Sequence, residues 1–197
     1  MVGKLIRLAV VIPIVLAALS CGGDDSSDIR KIAKRYLEAW EHHDIETLRA
    51  MTAIDVVWDT RGQKTIGREN LLAPFEFDAG AKSVLEFNNI EVRGDTVEFE
   101  LVEKNELLEA LRVYELRHYP RLIFENGLLQ RREITRDTPH LREYAEQLSI
   151  LRSWIRRNRP DVYEKIVTPK GAYRITREAG ELLVQMGKIW RESQAVE

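Results

Sequence analysis

A single cysteine, Cys21, occurs in 197 residues, so no internal disulfide can brace this chain. No basic tract with interleaved aromatics is present. Setting aside Lys4 and Arg7 leaves 28 basic residues against 32 acidic ones, a formal charge of −4, and excludes nucleic acid as a partner. The pairs Arg131-Arg132 and Arg156-Arg157 are accordingly expected on solvated faces of a strand and a helix. No cysteine or second histidine stands at ligand spacing from His118 or His140, so no metal site is expected. The adjacent His42 and His43 project about 100° apart on a helix and suit its C-terminal end better than one ion. No G-x-S-x-G, P-loop or G-x-G-x-x-G pattern occurs, which leaves no cofactor to expect. The apolar run LAVVIPIVLAAL, Leu8 to Leu19, would reach only about 18 Å as a helix, short of the ~30 Å hydrocarbon layer. Pro13 interrupts it, so it is not expected to persist as a membrane span.

That run follows Lys4 and Arg7 and ends in Ala18-Leu19-Ser20, directly before Cys21 and GGDDSSD. A basic start, an apolar core and small residues before a cysteine resemble a bacterial lipoprotein signal. The family usually has Leu and then a small residue where Ala18 and Leu19 stand here in reverse. The resemblance implies cleavage before Cys21, lipidation of its thiol, and a protein held at a membrane of the cell envelope. The alternative is ordinary secretion with a free thiol. Residues 1–20 are thus expected to be a signal peptide and 21–27 a flexible polar tether.

Folding is expected from residue 28. Ile29, Ile32, Ala33, Tyr36, Leu37 and Trp40 form one apolar helical stripe that Ser27 or Asp28 can cap. Asp44 caps a second helix through IETLRAM. Residues 54–60 read as a short strand, GQKTIG as a turn, and a third helix runs from about 68 to 72. The period then changes to two: a strand over 84–92, a Gly94-Asp95 turn, and TVEFELVE with Val97, Phe99 and Leu101 on one face. NELLEAL interrupts as a helical turn, RVYELRHY resumes as a strand, and RLIFENGLLQRREIT is a hairpin with Asn126-Gly127 at its tip. After Thr138, expected as a cap, and Pro139, expected at the first helical position, come helices ending near Asn158 and Ile166, and a last one capped by Thr176.

The stretches YLEAWEHHDIETLRAM, DVVWDTRGQKTIGREN, NIEVRGDTVEFELVEKNELLEAL and RLIFENGLL, in this order, resemble the nuclear transport factor 2-like superfamily with its SnoaL-like cyclases and isomerases. The resemblance implies an α+β cone over 28–137, N-terminal helices packed on a curved antiparallel sheet. Residues 138–197 would be a C-terminal helical extension of the same domain. In catalytic members the cone holds an acid or base in an apolar pocket, and two residues qualify here. Glu103 continues the inward Val97, Phe99, Leu101 face; Asp59 sits on the first strand, but if Val56, Trp58 and Thr60 face inward it faces out. Asn105 caps the following turn. Trp40, Trp58 and Phe99 are candidates, with Glu103, to line a pocket for a small apolar ligand, and each is also a natural core residue. Three functions are open: a lipid-anchored cone that binds a small ligand without catalysis; a SnoaL-like isomerase, cyclase or hydrolase; or an adaptor presenting Trp154 and Trp190 to an envelope protein.

Overall fold

Ala33, Tyr36, Leu37 and Trp40 recur at helical spacing and are all buried, which makes α1 (Asp25–Glu41) the floor of the molecule's first core. The computed structural model describes residues 25–136 and 139–194. Cys21, the expected signal, the start of the tether and Thr138 lie outside the described residues. Helix α1 begins at Asp25, ahead of the Ser27 or Asp28 expected to cap it. Asp44 caps α2 (Ile45–Ala50), its Oδ1 accepting from Thr47 N at 3.0 Å.

Strand β1 (Thr52–Thr60) turns through Arg61 and Gly62, both at positive φ, into β2 (Gln63–Ile66), so QKTI is a strand where the whole GQKTIG stretch was expected as a turn. Helix α3 (Arg68–Ala81) continues seven residues past Pro74, well beyond the end expected near 72. Leu71, Leu72 and Phe75 are fully buried under it, and that packing outweighs the lost backbone hydrogen bond.

The sheet is completed by β3 (Val84–Arg93), β4 (Thr96–Lys104), β5 (Leu116–His118), β6 (Pro120–Glu125) and β7 (Leu128–Ile134). Its order is β2-β1-β7-β6-β4-β3, with β5 paired to β4. All pairs are antiparallel except β1 with β7, so the sheet is mixed where a purely antiparallel one was expected. Strand β4 pairs with β6 along its first residues and with β5 along its last, which splits and curls the sheet. Tyr114 is exposed, and only Leu116–His118 of the RVYELRHY segment is strand. Asn105 caps α4 (Glu106–Ala110), accepting from Leu108 N at 2.7 Å.

Inside the curl, Trp40 packs against Phe75 with ring centroids 4.8 Å apart, against Phe87 at 5.5 Å and against Phe99 at 6.1 Å. Each such pair adds about 0.5–1.5 kcal/mol beyond its buried area. A second core forms where α5 (Leu141–Asn158), α6 (Pro160–Ile166) and α7 (Arg177–Ser193) close on α4, β5 and the end of α3. Helix α5 starts at Leu141 with His140 ahead of it at positive φ, so Pro139 is not its first residue. Thr176 caps α7 as expected. Trp190 lies in this second core and Trp154 packs, partly buried, against it. The C-terminal helices therefore share a core with the sheet-bearing part. The architecture is α+β: N-terminal helices on a curved mixed sheet, with added C-terminal helices.

Candidate functional site

Strands β1, β4 and β7 run in one direction and finish at the same end of the sheet. Trp58 and Thr60 of β1, Glu103 of β4, His118 of β5 and Arg132 and Ile134 of β7 meet there with Pro74 and Asp78 of α3. They line a cavity of about 220 Å³, with Arg61, Arg136 and Leu141 completing its wall. Wider clefts on the surface, one of about 710 Å³ beside Arg152 and Lys170 and one of about 590 Å³ between Lys82 and Tyr114, are lined by no buried charged side chain.

Glu103 is held from three sides. Ser83 Oγ donates to its Oε1 at 2.8 Å and Asn105 Nδ2 donates to the same oxygen at 2.9 Å. His118 Nε2 lies 3.7 Å from Oε2, within ion-pair reach. Asn105 also donates to Ser83 Oγ at 3.1 Å, and His43 Nε2 lies 2.9 Å from Ser83 O, so the first helix's end braces the group behind the carboxylate. Burial pushes the Glu103 carboxyl up, but His118, Ser83 and Asn105 together bring it below the ordinary glutamate range. Asp78 goes the other way. Burial raises its carboxyl well above the usual value, the Glu103 charge raises it further, and Arg132 offsets only part of this. The two carboxyls are therefore shifted apart, Asp78 toward its neutral form and Glu103 toward its ionised form.

Arg132 is 7 % exposed. Its guanidinium lies 4.7 Å over the Trp40 ring and 5.4 Å from the rings of Trp58 and Phe75, while its Nε and Nη1 have no hydrogen-bond partner among the described residues. Burial lowers its pKa, and the neighbouring Tyr36, Asp78 and Glu103 oppose that; a guanidinium stays charged regardless. The Tyr144 phenol on α5 is raised by burial and by the nearby Glu103 charge. The group thus comprises a carboxyl biased toward the form that donates, a carboxyl biased toward the form that accepts, and a buried cation.

Of the residues expected at a site, Glu103 and Trp58 line the cavity. Trp40 and Phe99, at 1 % and 4 % exposure, are core, Trp40 lying under the Arg132 guanidinium. Asp59 points away from the cavity, accepting from Arg131 Nη2 at 3.3 Å and from Gly62 N at 2.7 Å. Arg132 corrects the expectation of a solvated face, because Gln130 forms a bulge: Phe124 pairs with Leu129 but Ile123 pairs with Arg131. The extra residue reverses the alternation and turns Arg132 inward beside Leu122. Asp78 has a readable signal, since it follows Leu71 and Phe75 on one helical stripe. His118 has one too, pairing with the inward Leu101.

No protein-family model matches the sequence, and no curated protein is detectably similar to it. Solved structures are similar in shape. A proposed ketosteroid isomerase from Kribbella flavida is 16 % identical, with 57 % of this chain and 82 % of that one covered and a TM-score of 0.48. IdmH, a proposed polyketide cyclase from Streptomyces antibioticus, is 18 % identical over 61 % of this chain and 98 % of its own, with a TM-score of 0.49. A nuclear transport factor 2-like protein of unknown function from Burkholderia xenovorans is 18 % identical over 57 % and 85 %, at 0.48.

Proposed function

We propose that this chain is a SnoaL-like enzyme that moves a proton on a small molecule held in the cone, and that a lipid on Cys21 tethers it to a membrane of the cell envelope. The observation that carries the first part is the meeting of two carboxyls, Asp78 and Glu103, on one cavity, the first shifted toward its neutral form and the second toward its ionised form. Isomerisation, cyclisation and hydrolysis all require one group to remove a proton and another to supply one. In the simplest form, the Glu103 carboxylate accepts a proton as a substrate C–H or O–H bond breaks. The freed electron pair moves toward a substrate oxygen, which Asp78 protonates. Return of both protons closes the cycle. Arg132 holds a negatively polarised group of the substrate beside the two carboxyls. His118, Ser83 and Asn105 hold Glu103 in the ionised state.

The sequence alone left binding without catalysis as the first alternative, because only Glu103 stood out as an inward acid; Asp78, His118 and Arg132 supply its partners. Carbon-13 NMR of the side-chain carboxyls tests the reading. Asp78 is expected to titrate well above the ordinary aspartate range and Glu103 below the ordinary glutamate range; an Asp78 titrating near 4 would remove the acid. The anchor rests on the LSC junction and the single thiol. Fatty-acid labelling is expected in the parent and absent in Cys21→Ser, and equal labelling of both would end that reading.

A further inference from the structure

Arg132 is a buried cation in the wall of a small cavity, and nothing among the described residues satisfies its Nε or Nη1. Buried donors left unpaired cost free energy, and an arginine held that way calls for a planar acceptor. The aromatic rings of Trp40, Trp58 and Phe75 occupy positions over the guanidinium and fix its plane; Nε and Nη1 are closed off, which leaves the Nη2 end as the recognition element.

The remaining wall defines the rest of the ligand. Trp58, Pro74, Ile134 and Leu141 supply apolar surface, so an uncharged body fits against them. The volume, about 220 Å³, lies below the ~300–1,000 Å³ of drug-sized sites, which limits that body to a single ring or a short branched chain. Charge limits the head group. Arg61 and Arg136 stand on the exposed part of the wall and favour an anion; deeper in, the Glu103 carboxylate faces the same space as Arg132 and opposes a second negative charge there. Asp78, biased toward its neutral form, adds a second donor.

We infer that the cavity takes a small monocarboxylate, its carboxylate on Arg132 and its apolar body against Trp58, Pro74, Ile134 and Leu141. This rests on the proposed proton-transfer site and names its substrate class; Arg132 is then the residue that sets specificity.

Binding of benzoate, benzamide and phenyl phosphate to the full chain is measured by calorimetry and by the indole N–H signal of Trp58. Benzoate is expected to bind and to shift that signal, with benzamide and phenyl phosphate each weaker by about tenfold or more. Arg132→Met is expected to lose benzoate affinity by a similar factor and to keep its residual affinity for benzamide. Equal binding of benzoate and benzamide by the parent overturns the inference whether or not the variant folds. Tighter binding of phenyl phosphate, benzoate affinity unchanged in a folded Arg132→Met, or no binding of benzoate at all overturns it as well. Those results leave the proton-transfer reading standing if Asp78 still titrates high; a normal Asp78 with intact carboxylate binding sinks that reading alone.

Discussion

Replacing Gly80 with alanine sets two effects of known sign against each other. Gly80 lies in the last turn of α3, two residues beyond Asp78, where α3 crosses α7. A helical Gly→Ala change ordinarily stabilises by about 1 kcal/mol. Here a Cβ on Gly80 would stand 2.0 Å from Arg177 O and 2.8 Å from Arg177 C, and one on the facing Gly180 would stand 2.5 Å from Phe77 O. Those neighbours are backbone, so a helix must move. Overpacking costs about 1–3 kcal/mol, and a backbone clash belongs at the upper end. A net loss of about 2 kcal/mol remains, a melting-temperature drop of about 4–8 °C for a domain of this size. Gly187→Ala is the internal comparison. Its Cβ would meet the Ala110 side chain at 2.9 Å, a softer contact, and a smaller drop is expected. Calorimetric melting of the parent and both variants decides the matter. A Gly80→Ala protein that melts at or above the parent would show that helix propensity prevails and that α3 and α7 do not cross this closely. In the expected case Asp78 also shifts, because the turn that carries it must move, and its carboxyl titration reports that directly.

The site yields three further predictions. Asp78 binds its proton more tightly when folded than unfolded, so it lowers stability as pH rises above about 4 toward its folded pKa. Asp78→Asn is therefore expected to be more stable than the parent at pH 7–8, with the gain vanishing below about pH 4; urea melts across pH check this, and a pH-independent difference would refute it. Glu103→Gln removes the like charge that helps raise Asp78, so Asp78 is expected to titrate lower in that variant by carboxyl NMR. Asn105→Ala is expected to cost about 1–2 kcal/mol in denaturant melts through the lost cap on α4 and to raise the Glu103 carboxyl by removing a donor. An unchanged Glu103 titration would break the link between cap and site.

Much of the frame was legible because one period ran uninterrupted. Residues 29–40 keep helical spacing throughout, and all but the first turn is packed away. The stretch from Val97 to Glu103 alternates without a break, which is why Glu103 could be placed on the inner face from parity. The same parity put Trp58 in and Asp59 out, and Asp59 does pair outward with Arg131. Asn126 and Gly127 both adopt positive φ at the hairpin tip, where local chemistry alone is sufficient.

The groups that escaped the sequence each follow an interruption. Asp78 lies beyond Pro74, Arg132 beyond the Gln130 bulge, and His118 beyond the irregular segment that follows α4. The bulge and the irregular segment shift the pattern, so counting forward assigns the wrong face or no face, whereas Asp78 keeps the stripe of Leu71 and Phe75 and was missed because the helix was expected to end near 72. Such irregularities persist where the re-aimed side chain is worth its local cost. A regular β7 would send Arg132 to solvent and bring Arg131 inward, away from Asp59 and Glu133, with which it pairs outside the sheet. A helix ended at Pro74 would leave Glu103 without its acid partner. The three interruptions are thus what assemble an acid, a base and a cation around one space. A deletion of Gln130 removes the bulge yet keeps Ile123 opposite Arg131 and Leu122 opposite Arg132, so Arg132 should stay inward and carboxylate binding persist; loss of that binding in a folded deletion variant would refute this register.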